Sequence, residues 1–323
     1  MRLNVHFNYQ TIKLPDDYEG KVVATLLSSK ENCNNRKAVL YVHGFVDYFF
    51  HHHVAKRFLE KGYDFYALEL RKYGHSLLPH QHPNYCRTIE EYYSELSIAI
   101  EAVCNITAQK VVLLGHSTGG LIAAHYLNQG PKRHMVDALI LNSPFLEFNI
   151  TPFAKQLLTP LSKLVTRYRP FAKSLRRLNP TYVKSLHSDY HGEWAFNLSM
   201  KPLNGFPVYY AWLLAIKDAQ EFLRWCSDIK VPILVFHSSK SIIPRDFTPE
   251  AHVTDVVLNV VHIKELSRNL GASVTIKEVK NAVHDVFLSK PEVRSGVYTE
   301  MFDWLNLHFN YAESLLKSEP TLE

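Results

Sequence analysis

The chain has 323 residues, 46% apolar and 21% charged, which is ordinary globular usage and excludes disordered, collagen-like and coiled-coil classes. Lys and Arg outnumber Asp and Glu by 36 to 31, whereas a nucleic-acid binder would usually show a stronger, clustered excess. Cys33, Cys86, Cys104 and Cys226 form no CxxC pair, which argues against a zinc ribbon or dithiol centre.

The first 20 residues lack the apolar core of a secretory signal. No run approaches the 18 apolar residues of a membrane span. The expectation is a cytoplasmic protein with free thiols. Strands are predicted at 21–29 and 37–45, both rich in β-branched residues. A helical pattern over 48–62 ends at Gly62, a C-cap residue type. A strand follows at 64–70. The helix predicted from Thr88 carries Glu91 three residues on, a capping box, and Leu96, Ile98, Ile100 and Val103 as its core face. A strand at 110–117 runs into a helix that stops at Gly130-Pro131. Strands at 137–145, 231–239 and 273–280 complete the series.

The central runs are continuously apolar, as strands covered on both faces are. Strand–helix alternation of this kind predicts an α/β fold, a mostly parallel doubly wound sheet. The interval 146–230 breaks the rhythm. It holds prolines at 152, 160, 170, 180, 202 and 207, and 12 Lys/Arg against 6 Asp/Glu. The predicted organisation is a core of 1–145 and 231–323 with 146–230 inserted as a helical cap, or lid, over the ligand crevice at the strand ends.

Chemistry concentrates at Gly115-His116-Ser117-Thr118-Gly119, between an apolar strand and a helix. This is a G-x-S-x-G nucleophile elbow in its required context. Side chains at Gly115 and Gly119 would strike neighbouring backbone in so tight a turn, and the strain holds Ser117 Oγ above the sheet. Serine needs a base. His284 stands after the last strand and before the last long helix, in the order Ser…Asp/Glu…His. The acid falls after the strand at 231–239, where spacing leaves Asp246 and Asp255 near even. Its task is to hold the imidazole tautomer. One oxyanion donor is the Thr118 N–H; His43-Gly44-Phe45 places the Phe45 N–H as the second.

The segments HGF at 43–45, ELRKYGHS at 69–76, GHSTGG at 115–120 and NAVHDVFLS at 281–289 together resemble the α/β-hydrolase family, in its lysophospholipase, monoglyceride-lipase and serine-aminopeptidase-like branch. The resemblance covers about 20–315. It implies that Asp255, opening a DxVLDV-like segment, is the acid. Two departures stand out: Glu69 and Asn259 occupy positions where aspartate is usual.

The implied activity is carboxyl-ester hydrolysis through an acyl-serine, on an acyl ester such as a lysophospholipid or monoacylglycerol. A peptidase, amidase or thioesterase would use the same triad, and a catalytically silent ligand-binding homologue would share the fold. No cofactor is expected, and no metal. His51-His52-His53 point about 100° apart on a helix and cannot converge on one ion. The basic run at 163–177 is a solvated face, or meets an anionic substrate, or makes at most a transient membrane-surface contact. Trp194 and Trp212, with Phe196, Tyr209 and Tyr210, either line an acyl pocket or pack the cap on the sheet. No nucleic-acid partner is expected, and the oligomeric state stays open.

Overall fold

The computed structural model describes residues 5–34 and 36–316. In chain order the main elements are β1 (Phe7–Asp17), β2 (Gly20–Ser29), β3 (Ala38–Val42), α1 (His52–Glu60), β4 (Asp64–Glu69), α2 (Tyr93–Thr107), β5 (Val111–His116), α3 (Thr118–Gln129) and β6 (Val136–Asn142). Then follow α4 (Pro152–Tyr168), α5 (Thr181–Leu186), α6 (Tyr210–Cys226), β7 (Ile233–Ser238), α7 (Val260–Ser267), β8 (Val274–Val279) and α8 (Pro291–Leu316). The strands form one sheet in the order β1-β2-β4-β3-β5-β6-β7-β8. The β1–β2 and β2–β4 pairs are antiparallel, and every pairing from β4 through β8 is parallel.

Continuous apolar runs form the central strands because side chains alternate between two buried faces. Leu40, Leu113 and Leu139 point into the layer holding α2, α3 and α6. Tyr41, Val112 and Ile140 point into the layer under α1 and α8. Burying each such side chain contributes roughly 1.5–3 kcal/mol relative to exposure.

All seven predicted strands are present. The sequence reading missed β1, whose residues are mostly exposed at the antiparallel edge. The capping box of Thr88 and Glu91 forms, opening a short 3₁₀ turn that leads into α2. The predicted face of α2 needs one correction: Leu96, Ile100 and Val103 are buried, but Ile98 is exposed. At 100° per residue Ile98 lies about 200° from both Leu96 and Ile100, on the solvent side. Gly62 adopts φ +83, as its C-cap role requires.

Between β6 and β7 the chain passes through α4, α5 and α6. Trp212, Ile216 and Leu223 of α6 join the same apolar cluster as the sheet. Glu147 ties the start of the segment to both Lys155 and Arg224. The four cysteines are free thiols. Among the described residues no helix is long and apolar enough to cross a membrane.

Candidate active site

Strand β5 delivers Ser117 into the turn before α3. Its backbone sits at φ 51, ψ −116, a sparsely populated conformation that costs about 1–3 kcal/mol and needs support from its surroundings. That support is visible. The Ser117 N–H donates to Asn142 O at 2.9 Å, and Ser117 O accepts from Gly120, Leu121 and Phe145. Gly115 and Gly119 make the turn sterically possible. A Cβ on Gly119 would lie 2.2 Å from His43 O, and one on Gly115 would lie 2.7 Å from Gly119 O. Gly44 is also close packed: its missing Cβ would meet Ser117 Cβ at 3.2 Å. The positive φ in that loop falls at Val46, φ 50.

The β8–α8 loop brings His284 to the same place. His284 Nδ1 donates to Asp255 Oδ2 at 2.8 Å, and both side chains are almost fully buried. The other oxygen, Asp255 Oδ1, accepts the N–H groups of Val257 and Leu258 at 2.7 and 2.8 Å. Asp255 is thus fixed at both oxygens, leaving His284 Nε2 unprotonated in the neutral ring. Asp246 is exposed. Asn259, where the resemblance expected aspartate, caps α7 by accepting from the Val261 N–H. Glu69, the other departure, is buried and accepts from the N–H groups of Phe49 and His75 and from His75 Nδ1. It joins the loop after β3 to the turn at Gly74.

Ser117, Thr118, His284 and Phe45 line one cavity of about 310 Å³. Among the described residues, neither the Phe45 nor the Thr118 N–H has an acceptor in the chain. The free Thr118 N–H belongs to the first turn of α3, where unsatisfied donors and the helix dipole favour an anion. Trp212 also lines the cavity and stacks on Phe45, with ring centroids 4.0 Å apart. Trp194 does not line it. Its indole N–H donates to Leu288 O, and its ring packs between His53 and Arg294. The sequence left both tryptophans between lining the pocket and packing the cap; the fold puts Trp212 at the cavity and sends Trp194 to the α1 side.

Sequence reasoning missed a polar cluster behind the elbow. Asp285 Oδ2 accepts from His51 Nε2 at 2.7 Å, and Oδ1 accepts from Asn142 Nδ2 at 2.6 Å and from the Phe287 N–H. Asn142 Oδ1 accepts from the Val286 N–H, and His116 Nε2 lies 3.8 Å from Asp285. Burial alone would raise the Asp285 pKa. The His116 and His51 rings and the Asn142 amide outweigh it and hold the carboxyl well below the usual range. Burial keeps His116 neutral, its pKa brought down to about 4. The only sequence signal was adjacency: Asp285 follows His284. The three histidines diverge as expected: His51 to Asp285, His53 to Phe287 O, and His52 against Phe49.

A second buried pair also went unforeseen. Lys201, from the segment between β6 and β7, meets Asp47 at 2.8 Å, both buried and both at the cavity. Lys201, His51 and His116 lower the Asp47 pKa despite burial.

The arrangement is comparable with known proteins. The family model for serine aminopeptidases, S33, matches residues 34–291. An esterase/lipase-like protein of Mycoplasma pneumoniae is 30% identical over 131 residues, which is 39% of this chain and 44% of that protein, so the match spans less than half of that relative. A soluble variant of the Saccharomyces cerevisiae monoglyceride lipase, bound to a substrate analogue, superposes with a TM-score of 0.68 at 16% identity, covering 95% of this chain and 96% of the other. The Paleococcus ferrophilus monoacylglycerol lipase gives 0.62 at 20% identity, covering 93% and 99%. A thermophilic esterase of Thermogutta terrifontis gives 0.58 at 18%, covering 93% and 99%. With an eight-stranded hydrolase sheet and a family model spanning most of its length, this chain belongs to the serine aminopeptidase-like (S33) branch of the α/β-hydrolases.

Proposed function

We propose that the protein is a serine hydrolase cleaving carboxyl esters, with a small acyl ester of lysophospholipid or monoacylglycerol type as its substrate class. The observation that carries this reading is the His284–Asp255 hydrogen bond at the cavity where Ser117 sits on its strained turn. Ser117 Oγ attacks the ester carbonyl while His284 Nε2 takes its proton. Asp255, held by two backbone N–H groups, keeps the Nδ1–H tautomer and stabilises the imidazolium. The N–H groups of Phe45 and Thr118 receive the oxyanion; one such donor contributes about 3 kcal/mol. His284 then protonates the leaving alkoxide. Water, activated by the same ring, releases the acid.

A specific observation favours an ester over a peptide with a free amino terminus. Recognising an ammonium group calls for an available carboxylate. The one carboxylate among the cavity's described lining residues is Asp47, already paired with Lys201. The remaining wall is largely apolar, with Phe145, Phe148, Leu178 and Trp212 among its members. Residues 146–230 act as the cap over this cavity, supplying Leu178, Tyr182 and Lys201 to it. The chemistry calls on no cofactor and no metal.

The test is turnover of p-nitrophenyl acyl esters beside aminoacyl-p-nitroanilides. The expected outcome is ester cleavage lost in Ser117→Ala, together with labelling of Ser117 by a fluorophosphonate. Full activity in Ser117→Ala would sink the assignment.

A further inference from the structure

The cavity wall carries more positive charge than the chain itself neutralises. Apart from histidines, its charged lining residues are Asp47, Lys201, Arg176 and Arg177. Asp47 and Lys201 pair with each other, which leaves the two arginines. Among the described residues, arginine ion pairs are made by Arg57, Arg71, Arg224 and Arg294. Arg176 and Arg177 make none.

The segment that bears them is fixed on both sides. The Ser174 N–H donates to Val208 O at 2.7 Å and the Tyr210 N–H to Ala172 O at 3.1 Å. Farther along, Asn179 Nδ2 donates to Pro244 O at 2.6 Å. Leu178 fills the space over Gly205, where a Cβ would lie 2.4 Å from its side chain. The Arg176 guanidinium lies over the Phe148 ring, 5.7 Å from its centroid, and Phe148 meets Phe145 edge-on at 5.0 Å. The Phe145 N–H in turn donates to Ser117 O at 3.0 Å. Two ring contacts and one backbone hydrogen bond thus link Arg176 to the nucleophile's residue. Arg176 as a whole is exposed, but burial at its guanidinium end lowers its pKa. A cation set against apolar rings with no anion beside it gains from any anion that arrives.

We propose that Arg176 and Arg177 form an anion subsite of the cavity, and that the substrate is an ester whose alcohol part carries a phosphate monoester. The inference rests on the esterase reading and narrows its substrate class. Two adjacent cations match a group bearing a charge of about −1.5 to −2 near pH 7. A guanidinium also presents paired donors to phosphate oxygens. A neutral glyceride would leave both arginines to water alone. The acyl chain takes the apolar wall of Phe145 and Trp212 beside Ser117. The phosphate lies at the rim, where the arginine segment is tied to Pro244 next to the exposed Ile243.

The experiment compares kcat/KM of the full chain for three esters of one acyl chain: 1-hexanoylglycerol 3-phosphate, 3-hexanoylglycerate and 1-hexanoylglycerol. Their alcohol parts carry a phosphate, a carboxylate and no charge. The expected order is phosphate, carboxylate, neutral. The first should exceed the last by about tenfold or more, the scale of one charge-assisted hydrogen bond. In Arg176→Gln/Arg177→Gln the phosphate-to-neutral ratio should fall toward one. Lys163→Gln/Arg167→Gln, which removes two charges outside the cavity lining, should keep the wild-type ratio. Should the double arginine variant fail to fold by circular dichroism, Arg177→Gln, at an exposed position, carries the test by lowering the ratio about threefold or more. Four outcomes overturn the proposal: equal turnover of phosphate and neutral esters by wild type, a carboxylate ester preferred over the phosphate, a folded arginine variant with the wild-type ratio, or the same loss in Lys163→Gln/Arg167→Gln. Should none of the three esters turn over, the esterase reading fails on its own, and calorimetry still reads the subsite. Binding of the phosphate ester about tenfold tighter than the neutral one supports it; equal binding overturns it.

Discussion

Asp255 grips His284 through one carboxylate oxygen at 2.8 Å while its other oxygen accepts two backbone N–H groups. Both oxygens are therefore committed, and the ring they orient has one available tautomer. Asp255→Asn should leave the fold intact and lower kcat by about 10⁴, the scale seen when a triad carboxylate becomes an amide. Asp246→Asn, altering an exposed residue, should leave kcat within about twofold. Steady-state ester hydrolysis by the two variants separates them; equal losses would remove Asp255 from the relay.

The elbow tolerates no added carbon. Gly119→Ala would drive a Cβ to within 2.2 Å of His43 O, backbone that cannot swing aside. The expected cost is at least about 1–3 kcal/mol, with ester turnover lost as the strand end shifts. Gly296 in α8 is the control, because a Cβ there meets nothing within 4 Å. Gly296→Ala should raise stability by roughly 0.5–1 kcal/mol through helix propensity. Thermal unfolding of both variants checks the contrast.

Removing the Asp285 charge exposes what the cluster behind the elbow is worth. Asp285→Asn removes the charge and replaces one acceptor oxygen by an N–H donor, so that either His51 Nε2–H or the Asn142 amide faces a donor, and it should destabilise by about 3–5 kcal/mol at neutral pH, the range for breaking one side of a buried pair. The sign with pH follows from the lowered folded-state pKa. The carboxylate's contribution is fully present above the unfolded value of about 3.9 and fades as pH falls below it. The stability gap between wild type and variant should thus stay constant from pH 7 to about 5 and narrow below about 4. Denaturant unfolding across that range is the measurement.

Buried neutral histidines impose a second pH limit. His116 is held to about 4 and His53 to about 3, in each case first by burial. Between these values and the unfolded value of about 6.5, the unfolded chain binds more protons than the native one. Stability should therefore climb as pH rises from about 4 to 6.5 and level off above. His53→Gln, which can still donate to Phe287 O, should flatten the climb. Melting temperatures of wild type and variant at half-unit intervals test this.

Two tryptophans that look equivalent in the sequence should behave differently. Trp212→Ala removes the ring stacked on Phe45 at the cavity and should change acyl-chain preference, with KM for short chains rising several-fold. Trp194→Ala loses a hydrogen bond to Leu288 O and packing on His53. It should cost about 3 kcal/mol of stability with chain-length preference unaltered. A series of p-nitrophenyl esters distinguishes the pair.

Much of the frame was legible because burial on two faces leaves a plain sequence trace. Runs such as VVLL at 111–114 can be little else than inner strands. Strand β1 escaped because an edge strand with one wet face carries few apolar residues. Ser117 and His284 were legible from their places after strands. Asp255 was not separable from Asp246 by spacing, since the choice depends on how the chain returns from β7 across the cavity. Asp285, His51 and Asn142 come from three distant segments, and no local pattern announces that they meet. Trp194 and Trp212 show the same limit from the other side: composition counts aromatic rings but does not aim them.

The Asp47–Lys201 contact constrains traffic. Parting these two charges would leave each buried without its ion partner, so the seam between the β3 loop and the stretch around residue 201 is expected to stay closed during turnover. Entry and exit are then expected past the exposed lining residues Ile243 and Val257, and a bulky group placed at either would throttle large esters before small ones.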